Sequence, residues 1–369
     1  MSTEAKRTAR LSQDVYSATA GRRRVLHRRG VLVGAAAAGL VLFPVAVAAA
    51  EGLTEVRMVG FSGATNLPVW FAIDRGLFEK EGLKVALERT PDSKEQIANM
   101  MAGKYQFATT AFDNIVAHAE GQGSAQYDDF DMVAILGVHS GLNSVVAAPE
   151  IKTWKDIKGK AVAVDAPTSG YATVLYQILL KRGIARDRDY KVLSVGGTRA
   201  RVKALQEGAA QMAIISSPDD VQLRNAGFNV LADAAVEIGE YQGSTYAVRR
   251  SYAKSNEKTV LAFVRAVRAS HDAVFRNKAE AIAVLKGRLP DLTDEQAEVL
   301  YARLIGPGGL NRGAAINMKG VATVLKLRSL YGGTKGSLPS ASKYIDRSYA
   351  AKSQVAQGYR QGPRKGSPR

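Results

Sequence analysis

The sequence predicts an α/β protein with two Rossmann-like lobes on mostly parallel sheets, joined by two crossover strands and followed by a helical C-terminus. From Thr54 onward, short apolar runs alternate with helical patterns, which is typical of parallel strands connected by helices. A second unit with the same alternation starts at Ala161. In both units a helix ends at a glycine, Gly103 or Gly208, and a short spacer leads into the next strand. This repetition predicts two similar lobes.

The first unit is predicted from its apolar runs and from residues that start or stop helices. Pro68 fits the first turn of a helix, where a missing N–H costs little, and Gly76 follows the end of that helix. Ser93 and Gln96 have the spacing of a capping box for the next helix. The predicted elements are strands at Thr54–Gly60, Lys84–Glu88, Phe107–Thr109, Met132–Val138 and Val145–Ala148, and helices at Asn66–Arg75 and 93–102.

The second unit repeats this pattern, and the chain beyond Lys254 is mainly helical. Thr168 or Ser169 is expected to cap the helix that runs to Arg182. A helix over Val260–Phe275 is expected to bury one face that carries four valines. The other predicted elements are strands at Ala161–Val164, Lys191–Val195, Met212–Ile215 and 244–248, and helices at Thr198–Gln206, Ala279–Lys286, Asp294–Leu304 and Ile316–Tyr331.

These elements divide the chain into five segments. Residues 1–50 are predicted to be an export signal, residues 51–148 the first part of lobe 1, and residues 149–242 lobe 2. Residues 243–350 return to lobe 1 and continue as the C-terminal helices. Residues 351–369, rich in Gln, Gly, Pro and Arg, are predicted to be a basic disordered tail. Two crossings between lobes form a hinge, so we expect closure around a ligand.

The formal net charge of +17 overstates the charge of the part of the chain that is expected to fold. The first 50 residues contain eight Lys and Arg against Glu4 and Asp14, and residues 351–369 contain five with no acid. Subtracting these surpluses of six and five positive charges from the total leaves a net charge of +6 on residues 51–350. A nucleic-acid-binding protein would concentrate its basic residues on one face of the fold. Because much of the excess lies at the two ends, we expect no nucleic-acid partner.

The first 50 residues have the pattern of a signal peptide. Arg28 and Arg29 precede an apolar run, Val31–Ala50, that ends in small residues of the A-x-A kind. The run has the roughly 20 residues of a membrane span, but it is rich in Ala and Gly and Pro44 interrupts it. The arginine pair resembles a twin-arginine export signal, while the general secretory route stays open. We expect cleavage near Ala48–Glu51 and a periplasmic location.

The sequence contains no cysteine, which excludes every modification and site that needs a thiol. Disulfides, lipid attachment to an N-terminal cysteine, cysteine nucleophiles and cysteine-ligated zinc are excluded. Beyond the leader the histidines are His118, His139 and His271, and they lack the spacing of a metal site. The sequence has no nucleophile elbow and no Walker loop. We therefore expect no enzyme activity, no metal and no cofactor.

Four strings of residues resemble one family of exported binding proteins. The most specific string is Leu67–Val85, and the others are Trp154–Val164, 168–170 and Gly196–Arg201, in the order found in that family. Over roughly residues 54–250 the chain is similar to the periplasmic substrate-binding proteins for nitrate, sulfonates, taurine and thiamine-pyrimidine precursors. Those proteins serve ATP-binding-cassette (ABC) importers.

The resemblance implies the fold of a type II periplasmic binding protein, with a ligand cleft between its lobes. It also implies a small-molecule ligand and, as partners, an ABC permease and its ATPase, with membrane contact only through the permease. We expect a monomer. Gln106 and Gln211 stand where family members usually carry Asp, which affects local caps rather than the fold. A related enzyme that makes thiamine pyrimidine relies on a cysteine cluster, which this chain lacks.

Polar residues and glycines that follow four strands are candidate ligand groups, because ligands of open α/β sheets bind at the carboxyl ends of strands. Helix N-termini at that edge offer unpaired N–H groups to anions. Helix capping, a simple turn or a buried structural histidine is the competing interpretation for each candidate. The candidates are Ser62, Gly63, Thr65, Asn66, Thr109, Thr110, His139, Thr168, Ser169, Gly170, Tyr171, Ser216 and Ser217.

Hydroxyl groups at helix N-termini, without an obvious acid, favour a small anionic or polar solute such as a sulfonate or nitrate. A pyrimidine or other aromatic nutrient for the same kind of importer remains an alternative, as does a ligand-sensing role. Trp70 is expected to be core. Arg199 and Arg201 could pair with an anion, but their helical spacing in a charged stretch favours a solvated face.

Overall fold

The computed structural model describes residues 52–333 and 337–360. The export signal predicted for residues 1–50 therefore lies outside the described residues, as does the end of the predicted tail, 361–369. Within the described ranges, none of the helices is both long enough and apolar enough to cross a bilayer.

The described chain forms ten strands. They are β1 Thr54–Gly60, β2 Leu83–Arg89, β3 Phe107–Ala111, β4 Met132–Gly137, β5 Asn143–Ala147, β6 Ala161–Val164, β7 Lys191–Ser194, β8 Met212–Ser216, β9 Asn229–Asp233 and β10 Ser244–Arg249. Thirteen α-helices occur in the same part of the chain. They are α1 Leu67–Asp74, α2 Ser93–Met101, α3 Phe112–Ala119, α4 Gly170–Leu180, α5 Thr198–Gln206, α6 Asp219–Asn225, α7 Ala234–Ile238, α8 Arg250–Ser255, α9 Glu257–Arg276, α10 Lys278–Arg288, α11 Asp294–Ile305, α12 Met318–Tyr331 and α13 Ser348–Arg360.

The strands form two five-stranded sheets, which confirms the predicted two-lobed α/β fold. The first sheet has the order β2-β1-β3-β10-β4 and the second has the order β7-β6-β8-β5-β9. In each sheet the strands run parallel except one, which pairs antiparallel with both of its neighbours. This strand is β10 in the first sheet and β5 in the second, and each is the first strand after a crossing of the chain between the lobes. The helical C-terminus is also present.

The first crossing between lobes occurs earlier than predicted. A strand at Val145–Ala148 was expected to end lobe 1, with the boundary at residue 148. Instead β5 pairs with β8 and β9, so this segment belongs to lobe 2 and the chain crosses between β4 and β5. An apolar run of five residues, buried throughout, satisfies either sheet equally well, so its pattern does not say which sheet it joins. The return crossing precedes β10, which lies in the first sheet.

Local capping explains where helix α2 begins. The side chain of Asp92, rather than the predicted Ser93, accepts a hydrogen bond from the backbone N–H of Glu95 and starts α2. Gln96 does not close a capping box, because its side chain donates to the carbonyl of Thr109. Helix α9 buries the predicted face of Val260, Val264, Val267 and Val274 against the first sheet.

The C-terminal segment departs from the prediction of disorder over residues 351–360. Helix α13 extends to Arg360 and packs on α9. Arg268 of α9 donates to the carbonyl of Ala350 and to the hydroxyl of Ser353, which is buried. The polar composition of this segment indicated a solvated tail, but these tertiary contacts stabilise a helix there.

Candidate functional site

A cavity of about 60 Å³ lies between the two lobes, at the carboxyl ends of strands from both sheets. We call it the cleft cavity. Its size suits a small solute. The lining residues are Phe61, Ser62, Thr65, Ala111, Asn114, His139, Asp165, Ser169, Gly170, Tyr171, Gly197, Thr198, Arg201, Ser216 and Ser244.

The loop after β1 forms part of the lobe 1 wall. The side chain of Asn66 donates hydrogen bonds to the carbonyls of Phe61 and Gly63, at 2.7 and 3.1 Å, and so holds the loop. Gly63 has a φ of 137°, a conformation that other residues rarely adopt. This turn directs Ser62 and Thr65 to the cavity, while Asn66 stabilises the turn.

The N-terminus of α4 forms the opposing wall in lobe 2. Ser169 occupies the N-cap position, yet its hydroxyl makes no capping bond and is buried without a hydrogen-bond partner. Gly170 allows the two lobes to meet, because a Cβ there would lie 2.5 Å from the Cβ of Asp113. The free N–H groups of this helix terminus and the Ser169 hydroxyl therefore border the cavity.

Arg201 is the main charged group of the cavity. Its side chain is on α5 and the residue is only 5% exposed, contrary to the expected solvated position. One guanidinium nitrogen donates to the hydroxyl of Thr198 at 2.9 Å, whereas its Nε has no partner. Among residues 52–333 and 337–360, no carboxylate lies within ion-pair distance of it. Burial lowers the pKa of Arg201, and the nearby carboxylate of Asp165 partly opposes this effect.

His139 lies beside the first crossing and its tautomer follows from its contacts. Its Nδ1 is 3.2 Å from the backbone N–H groups of both Gly141 and Leu142, so Nδ1 accepts and the proton resides on Nε2. That Nε2 is 3.2 Å from the Ser244 hydroxyl and 3.5 Å from the Tyr171 hydroxyl. Burial lowers the pKa of His139 to about 4, so the ring is neutral at pH 7 and donates toward the cavity.

A chain of polar side chains connects α5 to β5 along the cavity. The Thr198 hydroxyl lies 3.4 Å from that of Ser216, which donates to the side-chain Oδ1 of Asn143 at 2.7 Å. The amide nitrogen of Asn143 is buried and has no partner. Unused donors are thus present on Asn143 and Arg201, and the hydroxyl of Ser169 is also free. Arg201 and Ser169 line the cavity, so a ligand rich in hydrogen-bond acceptors would satisfy these two groups.

Seven of the thirteen candidate residues line the cleft cavity: Ser62, Thr65, His139, Ser169, Gly170, Tyr171 and Ser216. The other six, Gly63, Asn66, Thr109, Thr110, Thr168 and Ser217, do not line it. Most of these six residues make hydrogen bonds or packing contacts within the fold instead.

The hydroxyl of Thr110 accepts from Asn114, and that of Ser217 donates to Asp220 at 2.8 Å. Thr109 packs against Gly60, since a Cβ on Gly60 would lie 2.3 Å from its hydroxyl. The side chain of Thr168 is exposed.

Eight lining residues were not predicted as ligand groups: Phe61, Ala111, Asn114, Asp165, Gly197, Thr198, Arg201 and Ser244. A sequence signal existed for three of them. Asp165 directly follows β6, and Thr198 begins α5 after a glycine pair, both at the expected edge of the sheet. Arg201 is one helical turn after Thr198 and therefore shares its face.

The lobes are in contact around the cavity. The backbone N–H of Ala64 donates to the carbonyl of Ser217 at 3.1 Å, and that of Gly197 donates to the carbonyl of Pro91 at 3.0 Å. Helix α12 packs on both α3 and α4, and the buried Arg328 bonds both Asp113 of lobe 1 and the Thr168 carbonyl of lobe 2. These contacts describe a closed arrangement.

The chain is similar in sequence or in structure to several known proteins. The chain is 22% identical over 283 residues to the protein YtlA of Bacillus subtilis (strain 168), covering 74% of this chain and 84% of YtlA. The structure is similar to the periplasmic nitrate-binding protein NrtA of Synechocystis PCC 6803, with a TM-score of 0.69, 13% identity, and coverage of 82% of this chain and 89% of NrtA. It is also similar to the alkanesulfonate-binding protein SsuA of Xanthomonas axonopodis pv. citri bound to MOPS, with a TM-score of 0.62, 17% identity, and coverage of 82% and 99%.

The family model described as NMT1/THI5 like matches residues 64–281. This range includes both crossings between the lobes and all the residues that line the cleft cavity except Phe61 and Ser62. Because the match extends over more than half of the chain, this protein is a member of the NMT1/THI5-like family.

Proposed function

We propose that this protein captures a small solute with an anionic group in the cleft cavity and delivers it to an ABC importer. The observation that carries the proposal is the buried guanidinium of Arg201, which lines the cavity without an ion-pair partner in the described chain. Arginine stays protonated at neutral pH, and an unpaired buried charge costs several kcal/mol or more. An anionic ligand would offset that cost.

The neighbouring groups support the same ligand chemistry. The N-termini of α4 and α5 both border the cavity, through Gly170 and Thr198, and helix N-termini favour anions. The neutral His139 adds a donating N–H, and Asn143 a further free N–H close by. Sulfonates, nitrate and carboxylates present the acceptor oxygens that these donors require.

Delivery to an importer and a periplasmic location are supported by similarity. NrtA is named as a periplasmic nitrate-binding protein, SsuA as an alkanesulfonate-binding protein and YtlA as a binding protein. The signal-peptide pattern of residues 1–50 agrees with export. We propose a permease and its ATPase as partners, and binding rather than catalysis as the activity.

A neutral aromatic nutrient is the second candidate ligand. Phe61 and Tyr171 both line the cavity and offer aromatic faces for stacking. Such a ligand would leave the charge of Arg201 without a counter-ion, so we rank it below an anion. A ligand-sensing protein would use the same cavity, and the presence of permease and ATPase genes beside this one would favour transport.

The test is to measure dissociation constants by calorimetry for nitrate, alkanesulfonates, carboxylates and pyrimidines, with Arg201→Met and Arg199→Met variants. Removing one partner of a buried charge pair typically costs 2–5 kcal/mol, so Arg201→Met should weaken anion binding at least thirtyfold. Arg199 is exposed on the same helix and does not line the cavity, so Arg199→Met should bind as the wild type does. Equal anion affinities in Arg201→Met and wild type would refute the proposal.

A further inference from the structure

We propose that Phe61 limits the length of the solute, because its ring closes the cleft cavity off from a second space in lobe 1. This inference rests on the proposed function, since it concerns the part of the same ligand that extends away from the anionic group. It is carried by one observation: among the residues that the structure describes, Phe61 alone lines both spaces.

The second space is a groove of about 340 Å³ along β2, which is an edge strand of the first sheet. We call it the β2 groove. Apolar side chains and two arginines line it, including Trp70, Ile73, Val85, Leu87, Arg89 and Arg288. The cleft cavity, at about 60 Å³, has room for roughly four to six groups of the size of a water molecule. An anion with a long alkyl chain would therefore fit only if the two spaces were joined.

The ring of Phe61 lies at the boundary between the lobes. Its Cδ1 and Cε1 atoms are 3.4 and 3.5 Å from the position that a Cβ on Gly197 would occupy. Gly197 is the N-cap residue of α5, the helix that brings Thr198 and Arg201 to the cleft cavity. An alkyl chain on an anion held at this helix terminus would meet the Phe61 ring before it reached the β2 groove.

The loop around Phe61 is held by its backbone rather than by its ring. The Phe61 carbonyl accepts from the side chain of Asn66 at 2.7 Å, and the Gly60 carbonyl accepts from the backbone N–H of Thr90 at 3.0 Å. Phe61 itself is half-buried. Truncating the ring should therefore remove the barrier and leave the loop in place.

A stacking role for Phe61 predicts a different pattern of binding. Removing a stacking platform weakens the binding of flat ligands and does not change the preference between short and long alkyl chains. Removing a barrier changes that preference. The dependence of affinity on chain length therefore distinguishes the two roles.

The experiment measures dissociation constants by calorimetry for ethanesulfonate, butanesulfonate and octanesulfonate, which share one anionic group and differ in chain length. We expect the wild type to bind octanesulfonate at least tenfold more weakly than ethanesulfonate. Phe61→Ala should bind octanesulfonate at least tenfold more tightly than the wild type does, since each methylene that becomes buried strengthens binding roughly fourfold. Phe275→Ala truncates a half-buried phenylalanine of α9 that lines neither space, so it should keep the wild-type order and is the matched control.

A double variant tests where the alkyl chain goes. Leu87 lines the β2 groove, and its Cδ1 is 3.5 Å from the position of a Cβ on Gly60, the residue before Phe61. Adding Leu87→Trp to Phe61→Ala should fill the groove beside the opening and remove the gain in octanesulfonate binding. A cooperative thermal transition of the double variant shows that it is folded.

The outcomes separate this inference from the proposed function. If the wild type binds octanesulfonate as tightly as ethanesulfonate, if Phe61→Ala shows no gain, or if the folded double variant keeps the gain, the barrier is refuted and anion capture stands. If the wild type binds none of nitrate, the sulfonates and simple carboxylates, the proposed function itself fails, and the inference fails with it.

Discussion

At the scale of single residues, Ser169 illustrates how one side chain serves either a helix or a ligand. A serine before a helix ordinarily accepts a hydrogen bond from that helix and stabilises it. Here the hydroxyl occupies the N-cap position without making that bond, and it is buried beside the cleft cavity. The structure therefore shows no capping bond from Ser169, and its contact with a ligand stays a prediction.

We predict that Ser169→Ala weakens ligand binding by about 1 kcal/mol, roughly fivefold in the dissociation constant, through one lost hydrogen bond. The thermal stability of the Ser169→Ala variant should change little, because no capping bond is lost. Calorimetric titration and thermal unfolding measure the two effects.

Thr293→Ala is the matched control. The hydroxyl of Thr293 accepts from the N–H of Gln296 in a capping box that starts α11, away from the cavity. That variant should lose about 1 kcal/mol of stability and keep its affinity. The opposite pattern, with Ser169→Ala unstable and its affinity unchanged, would show that Ser169 acts only as a cap.

At the scale of elements, α12 connects the lobes through a buried ion pair. Arg328 has no solvent exposure and donates to both carboxylate oxygens of Asp113 on α3. The same guanidinium donates to the carbonyl of Thr168, just before α4, at 2.8 Å. A C-terminal helix thus bonds one residue of each lobe, which its sequence pattern alone did not indicate.

We predict that Arg328→Met lowers the free energy of unfolding by about 3–5 kcal/mol, because it leaves the Asp113 carboxylate buried without a counter-ion. Adding Asp113→Leu should recover much of that loss, since replacing a buried ion pair by apolar residues is often neutral. Urea unfolding of Arg328→Met, Asp113→Leu, the double variant and the wild type measures this. A double variant that is as unstable as the sum of its single variants would contradict the argument.

The sequence predicted most elements but not every assignment to a lobe. The alternation of strands and helices is local, so β1, β6 and α9 could be located from composition and periodicity. Membership of a sheet is not local. β5 is uniformly apolar and buried, and only its pairing with β8 and β9 places it in lobe 2.

At the scale of the whole molecule, three buried histidines couple folding to pH. Burial lowers the pKa of His118, and it lowers those of His139 and His271 to about 4, compared with 6.5 for a free side chain. The folded protein therefore keeps these rings neutral where the unfolded chain takes up protons. Their stabilising contribution is complete above pH 6.5 and is lost as the pH falls toward 4.

We predict that the free energy of unfolding decreases between pH 7 and pH 5. His139 and His271 would each contribute about 3 kcal/mol at neutral pH, from 1.36 kcal/mol per pK unit. Denaturant titrations at several pH values test this. His271→Gln should reduce the slope between pH 6 and pH 5, because one proton fewer is taken up on unfolding. An unfolding free energy that is constant over this range would contradict the prediction.

The sequence by itself determined the two-lobed α/β fold and the edge of the sheets where the cavity lies. Both follow from the order of strands, helices and glycines along the chain, and each of these is a local property. Only the tertiary structure decided that Arg201 is buried and that Asp165 joins it in one cavity. The physical reason is that burial depends on what the opposite lobe covers, so a charged helix face looks solvated until the second lobe packs against it.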